Sequence, residues 1–190
     1  MFKEEEIING CKKSDSVSQR KLYEHFEKKM LAVCMRYTKN RMEAEDILQE
    51  AFVKVFTNIK DFRNDCPLEQ WIKKININTA LKFLRKQILV LPASDSIMLE
   101  NYGEEENLAI SNYNFLELIN MIQQLPSGYQ VVFNLYAIEG YNHREISEML
   151  GISEGTSKSQ YARAKATLQQ IILQKSSYEF NLSAKTDNLK

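Results

Sequence analysis

Two short amphipathic segments joined by Gly151-Ile152-Ser153 lie between Tyr141 and Leu168, and this pattern constrains the chain more than any other. Asn142 stands where an N-cap belongs, and Glu145 stands three residues on, where its carboxylate can return to the cap's own amide. Ile146, Met149 and Leu150 then repeat at helical spacing. Gly151 supplies a position that accepts positive φ, Ile152 points into the angle between two helices, and Ser153 offers its hydroxyl to the next free amides. The pattern predicts a helix-turn-helix. At about 100° per residue, Ser157, Tyr161, Ala164 and Leu168 share one face of the second helix, with Thr156, Ser159, Gln160 and Arg163 roughly opposite. Lys158 and Lys165 flank that polar face, within reach of phosphates on either side of a groove. The reading is a DNA-contacting helix; the alternative is a helical hairpin with a solvated face.

Upstream, Leu22, Phe26, Met30, Val33 and Tyr37 step by three or four through a helix over 17–37. A second helix over 42–59 is apolar on a broad side through Ala44, Ile47, Leu48, Ala51, Phe52, Val55, Phe56 and Ile59. Its other side gathers Asp46, Gln49, Glu50, Val53 and Thr57, with two carboxylates one turn apart that repel each other and invite a cationic partner. An ordinary solvated face fits the same residues. A turn through Asn64, Asp65 and Pro67 leads into a helix from 68 or 69 to about 88, opened by Trp71, Ile72 and Ile75. Asn76 and Asn78 interrupt it, and Lys82, Arg85 and Lys86 follow beside Phe83, an interleaving of amide, aromatic and cation suited to unpaired bases and phosphates. Trp71 reads as core, and Asn78 fits a solvated amide equally well.

Composition excludes more than it assigns. The 190 residues suffice for two small domains, and few Gly and three Pro point to an all-α protein. No apolar run is long enough to cross a membrane, and acids occupy residues 1–13 where a secretory signal needs a hydrophobic stretch, so a cytoplasmic protein without membrane insertion is expected. Cys11, Cys34 and Cys66 lack paired short spacing, and His25 and His143 add no ligand cluster, so no metal or other cofactor is implied. Nothing beside the acids at 46 and 50 supplies a nucleophile or phosphate loop, so no catalytic residue is assigned. The 25 cations balance 25 anions, but unevenly: Lys73, Lys74, Lys82, Arg85 and Lys86 form one basic stretch, and Arg144, Lys158, Arg163 and Lys165 another. Between them, residues 91–112 lose periodicity and carry Glu100, Glu104, Glu105 and Glu106, which reads as a flexible acidic linker. Shorter helices are expected over 114–125, with Leu116, Ile119 and Ile122 inward, and over 129–139, while 176–190 reads as a disordered tail.

Three segments, EAEDILQEAFVKVF from Glu43, the following FRNDCPLEQWIKKININTALKFLRK, and LPSGYQVVFNLYAIEGYNHREISEMLGISEGTSKSQYARAKATL, resemble the short extracytoplasmic-function class of the sigma-70 family of RNA polymerase sigma factors. The resemblance runs from about Ile7 to Leu173 with its motifs in the family's order. It implies a region-2 domain over 1–90, the linker over 91–112 and a region-4 domain over 113–175. It also implies core RNA polymerase, through its clamp helices and flap, and promoter DNA as partners; an anti-sigma factor is a further partner the family allows. By position, Asp46, Gln49, Glu50 and Val53 fall in the segment that meets the clamp, and Phe62, Asn64 and Asp65 in the loop shaping the pocket for an unstacked minus-10 base. Asn78 matches the Asn of the family's I-A-x-N stretch, with Lys74, Lys82 and Arg85 beside it for the same DNA. Ser153, Thr156, Lys158, Ser159, Gln160, Arg163 and Lys165 fall in the minus-35 helix. Where many relatives read G-T-V-K-S-R, this chain has Gly155 to Gln160 as GTSKSQ, with Ser157 in place of a buried valine. A free-standing helix-turn-helix regulator is the competing function; it has no need of an acidic docking helix followed by an Asn, aromatic and Lys series.

Overall fold

The computed structural model describes the backbone of residues 3–88 and 114–187, with side chains left out at 86–88, 115 and 176–187. Among the described residues there are helices and no strand. The chain divides into two compact units, Met1–Pro92 and Ala93–Lys190. The expected linker over 91–112 lies outside the described residues.

The first unit packs α1 (Glu4–Lys12), α2 (Ser16–Met35), α3 (Arg41–Asn58) and α4 (Leu68–Ile88), with a 3-10 turn at Ile59–Asp61. Helix α1 was not anticipated: a single apolar cluster, Ile7, Ile8 and Cys11, is too short to show a period, yet all three are buried. Asp15 starts α2, accepting from the Ser18 amide at 2.8 Å, and Asn40 starts α3, accepting from the Glu43 amide at 2.9 Å. The stripe read from α2 lines the core, and Tyr37 just beyond it is fully enclosed. Helix α4 passes through Asn76 without a break. Asn76 is buried, donates to the Ile72 carbonyl at 2.9 Å and accepts from the Cys34 thiol at 3.5 Å, so this amide is satisfied inside the core. Burial pushes the Cys34 thiol up to about 12.

The second unit holds α5 (Phe115–Gln124), α6 (Ser127–Phe133), α7 (His143–Leu150) and α8 (Glu154–Asp187). A capping box of Asn114 and Glu117 opens α5, where Leu116 is 63% exposed rather than inward and Met121 takes a place in the core. The first turn is held to α8 on its other side, where Lys175 Nζ lies 2.7 Å from the Glu117 carboxylate. After α6, one π turn over Asn134–Ile138, with Glu139 N bonding to Asn134 O at 2.9 Å, runs to Gly140 at φ +80°. Helix α8 continues to Asp187, so residues 176–187 are helical backbone where a disordered tail was expected. No Gly or Pro follows Gly155, so nothing in the sequence interrupts propagation of the helix.

Candidate nucleic-acid and polymerase interfaces

The outward side of α3 carries the residues its periodicity assigns there. Asp46, Gln49, Glu50, Val53 and Thr57 are exposed, together with Met42. Met42 is 74% and Val53 65% exposed, two apolar side chains about three turns apart on the same polar side. Glu50 has a cation on its own helix: Lys54 Nζ lies 2.8 Å from its carboxylate and also donates to Thr79 Oγ1 of α4 at 3.0 Å. At i,i+4 spacing this half-exposed pair is worth little in water, so Glu50 and its neighbour Asp46 remain open to a partner.

On α4, Lys74, Asn78, Lys82 and Arg85 are all exposed, the first three at successive i,i+4 steps along one line. The two asparagines thus divide: Asn76 faces the core and Asn78 the solvent. Near the start of this helix, Asp61, Phe62, Arg63, Asp65, Cys66 and Trp71 line an open cleft of about 290 Å³. Asn64 holds left-handed φ of 61°, a conformation Asn tolerates because its short amide can bond locally. Phe62 is not an exposed contact residue: it is 4% exposed, with its ring centroid 5.1 Å from that of the half-buried Trp71. It forms the floor of the cleft.

The helix-turn-helix closes as its residues require. Asn142 accepts from the Glu145 amide at 2.9 Å while the Glu145 carboxylate accepts from the Asn142 amide at 2.8 Å. Gly151 adopts φ +69°, its amide reaching Ser147 O at 2.9 Å, and Ser153 Oγ accepts from the Thr156 amide at 3.0 Å. Ile146 is fully enclosed beneath. The departure at Ser157 finds its reason here: the hydroxyl is buried and lies 2.9 Å from His143 Nδ1, so α7 and α8 are joined by a hydrogen bond. His143 also stacks on Tyr136 at 4.3 Å and 13°. Burial, then nearby Lys158, lowers its pKa from the usual 6.5, against a smaller raising effect of Glu154.

The outward face of α8 differs from expectation. Ser157, Ala164 and Leu168 pack as read, with Tyr161 half-buried among Phe133, Tyr136 and His143. Gln160 and Arg163, however, lean on α6. The Gln160 amide lies in the space beside Gly128, and Arg163 Nη1 donates to Tyr129 Oη at a long 3.5 Å while its Nε is enclosed without a hydrogen-bond partner among the described residues. The most open positions are Ser153, Glu154, Gly155, Lys158 and Ala162, with Thr156, Ser159 and Lys165 half-buried. A wheel drawn against one packing neighbour misplaces residues when a second, here α6, covers the flank. The helix-turn-helix cations also have carboxylates within reach: Arg144 to Glu148 at 3.4 Å and Lys158 to Glu154 at 3.9 Å, exposed pairs worth little in water.

These two helical units match known families in the same order. The sigma-70 region 2 model matches residues 22–88, and the sigma-70 region 4 model residues 115–168, together well over half of the chain. The chain belongs to the sigma-70 family of RNA polymerase sigma factors, in its extracytoplasmic-function class. It is 25% identical over 173 residues to the ECF RNA polymerase sigma-E factor of Escherichia coli (strain K12), covering 85% of this chain and 90% of that one. The sigma-E factor of Haemophilus influenzae is 24% identical over 177 residues, with 87% and 93% covered. Among solved structures, the sigma factor RpoE in complex with the anti-sigma factor NepR from Bartonella quintana shares the fold, at TM-score 0.51 and 18% identity over 80% of this chain and 95% of that chain. As a sigma factor the protein serves transcription initiation, and a free-standing regulator is not favoured. Helix α1 precedes the matched region-2 segment.

Proposed function

We propose that the three exposed stripes divide the work of a sigma factor. The face of α3 bearing Asp46, Gln49, Glu50 and Val53 docks on the clamp of core RNA polymerase, and Met42 and Val53 supply its apolar contact. Lys74, Asn78, Lys82 and Arg85 hold the separated minus-10 strand, whose extruded base enters the cleft over Phe62 and beside Asn64, Asp65 and Trp71. The observation that carries this reading is that an aromatic-floored cleft, with Trp71 in its lining, opens at the start of α4, and that the exposed Lys74, Asn78 and Lys82 follow it at successive turns of the same helix. Helix α8 enters the minus-35 major groove through Ser153, Thr156, Lys158, Ser159 and Lys165. The small Gly155 and Ala162 permit close approach, and Gln160 and Arg163 reach in from the α6 edge.

In the second unit a nearly wholly apolar cleft of about 220 Å³, lined by Leu118, Met121, Ile122, Phe133, Ile138 and Ile172 among others, suits the polymerase flap. The protein acts as an initiation factor and not as an enzyme; the chemistry of RNA synthesis belongs to the polymerase. Among the described residues no helix is long and apolar enough to cross a membrane. From its work on promoters we infer a cytoplasmic protein. The Bartonella quintana relative was solved with an anti-sigma factor, and a protein of that kind competing for these surfaces is the regulator we infer. Co-elution with core polymerase, followed by transcription from a promoter library, tests the assignment. Tight binding of a palindrome by the free protein as a dimer overturns it.

A further inference from the structure

We propose that Lys12 is a positioning residue for minus-10 recognition, clamping the 61–67 loop from a helix that lies outside the matched region-2 segment. Lys12 Nζ donates to the Phe62 carbonyl at 3.0 Å, across 50 residues of sequence and in a partly buried setting. A charge-assisted bond of this kind is roughly twice as strong as a neutral one. It acts where little else does. Phe62 N bonds to Ile59 O at 3.2 Å and Pro67 O receives the first amides of α4, but residues 63–66 make no backbone–backbone hydrogen bond among the described residues. The loop therefore hangs between the buried Phe62 ring and Pro67, and Lys12 fixes the carbonyl at which it departs.

Helix α1 is itself held in a way that aims this side chain. Ile8 and Cys11 are buried, and Lys13 N and Asp15 N both bond to Gly10 O at 3.0 Å, closing the helix one residue past Lys12. A Cβ at Gly10 would collide with Ser18 Oγ, so this glycine lets α1 lie close against the start of α2. A second cleft is lined by Glu4, Glu5, Ile8, Lys12, Asn64 and Pro67 among others, so α1 and the loop face each other across it. Cys66 lines both clefts and is half-buried.

The proposal rests on the reading of that loop as the minus-10 pocket, and the test separates the two. In the full-length protein, alkylation of Cys66 reports loop order, because Cys11 and Cys34 are buried and their thiols are raised in pKa by burial. Lys12→Met is expected to speed Cys66 alkylation roughly tenfold by releasing the loop, with little change in the melting temperature. In the holoenzyme it is expected to flatten the preference among single-base variants of the minus-10 element without loss of core binding, and Lys12→Arg, which keeps a donor, is expected to restore both. Unchanged alkylation, or an unchanged base preference, overturns the clamp. Asn78→Ala serves as the check on the underlying reading. If it leaves minus-10 preference intact, the minus-10 assignment fails and alkylation alone decides whether Lys12 orders the loop; if it lowers that preference while Lys12→Met does not, only the clamp falls.

Discussion

Helices α3 and α8 each present a polar face that we propose meets a partner, and they differ in how that face is made. In α3 the core lies on one side, and every residue assigned outward by period, from Asp46 to Thr57, is exposed. In α8 two neighbours converge: α7 joins it through His143 and Ser157, and α6 covers Gln160 and Arg163. A one-sided helix can be read from its period alone; a helix wedged between two others cannot, because the second neighbour takes polar residues that the period leaves free. The proposed partner face of α3 thus stands open along its length, whereas α8 offers small residues and Lys158 outward and rests Gln160 and Arg163 against its own domain.

The largest effect expected from this contrast is on α3. Asp46→Lys combined with Val53→Asp should weaken co-elution with core polymerase on the order of 100-fold while leaving the helical fold intact, since both side chains are exposed. Glu50→Lys should cost less than Asp46→Lys, because Glu50 already shares its charge with Lys54. Equal losses would mean that the internal pair dissolves on docking and that the face is less preformed than α3 suggests.

Next in size is the pair of asparagines on α4. Asn76→Ala should destabilise the first unit by about 2 kcal/mol, because it removes a buried amide and its bonds to Ile72 and Cys34. Asn78→Ala should change stability by less than about 0.5 kcal/mol yet impair minus-10 opening, as expected of an exposed position. Denaturant unfolding and permanganate footprinting of the open promoter measure the two quantities separately. A stability loss at Asn78 would make it a structural amide too.

A smaller effect tests the face of α8. Ala162→Glu, at an open position, should lower minus-35 binding roughly tenfold by placing a carboxylate toward phosphates, with no change in melting. Arg163→Ala should instead lower the stability of the second unit by about 1 kcal/mol through lost packing on Tyr129, and relax preference at one base pair. If Arg163→Ala leaves stability untouched, the contact with Tyr129 is incidental and the polar face first read from the period is the right one.

The sequence carried the fold through local signals that need no tertiary context: the cap at Asn142, the left-handed Gly151, and apolar stripes in α2 and α3. What it hid were features set by packing between elements. Helix α1 has one buried turn and no period; Phe62 looks like a loop aromatic until its ring is found beneath Trp71; and Asn76 and Asn78 are the same residue two positions apart, separated in role by which side of α4 meets the core. The Lys12 bond to Phe62 spans 50 residues and has no local signature at all.

The smallest effect concerns pH and would sharpen the view of α8 as a helix fastened to α7. His143 sits at the start of α7, half-buried, with Ser157, Tyr136 and Tyr161 against it and Lys158 and Glu154 as the nearby charges. Its pKa in the folded protein is lowered below the usual 6.5, first by burial and then by Lys158. For a base, a lowered folded value means that the unfolded chain takes up the proton first as pH falls, so the stabilising contribution is complete above 6.5 and is lost as pH drops toward the folded value. Protonation would also deprive Ser157 of an acceptor whenever Nδ1 serves as one. Urea unfolding of the second unit, followed between about pH 5 and pH 7, should therefore show stability rising with pH across the range where an ordinary histidine titrates. His143→Gln, which keeps an amide for Ser157 but cannot titrate there, should flatten this slope while lowering stability at neutral pH by about 1 kcal/mol through the lost stacking on Tyr136. If the slope survives in His143→Gln, another group titrates, and the junction of α7 and α8 is held by packing on Ile146 and Ala164 rather than by the histidine.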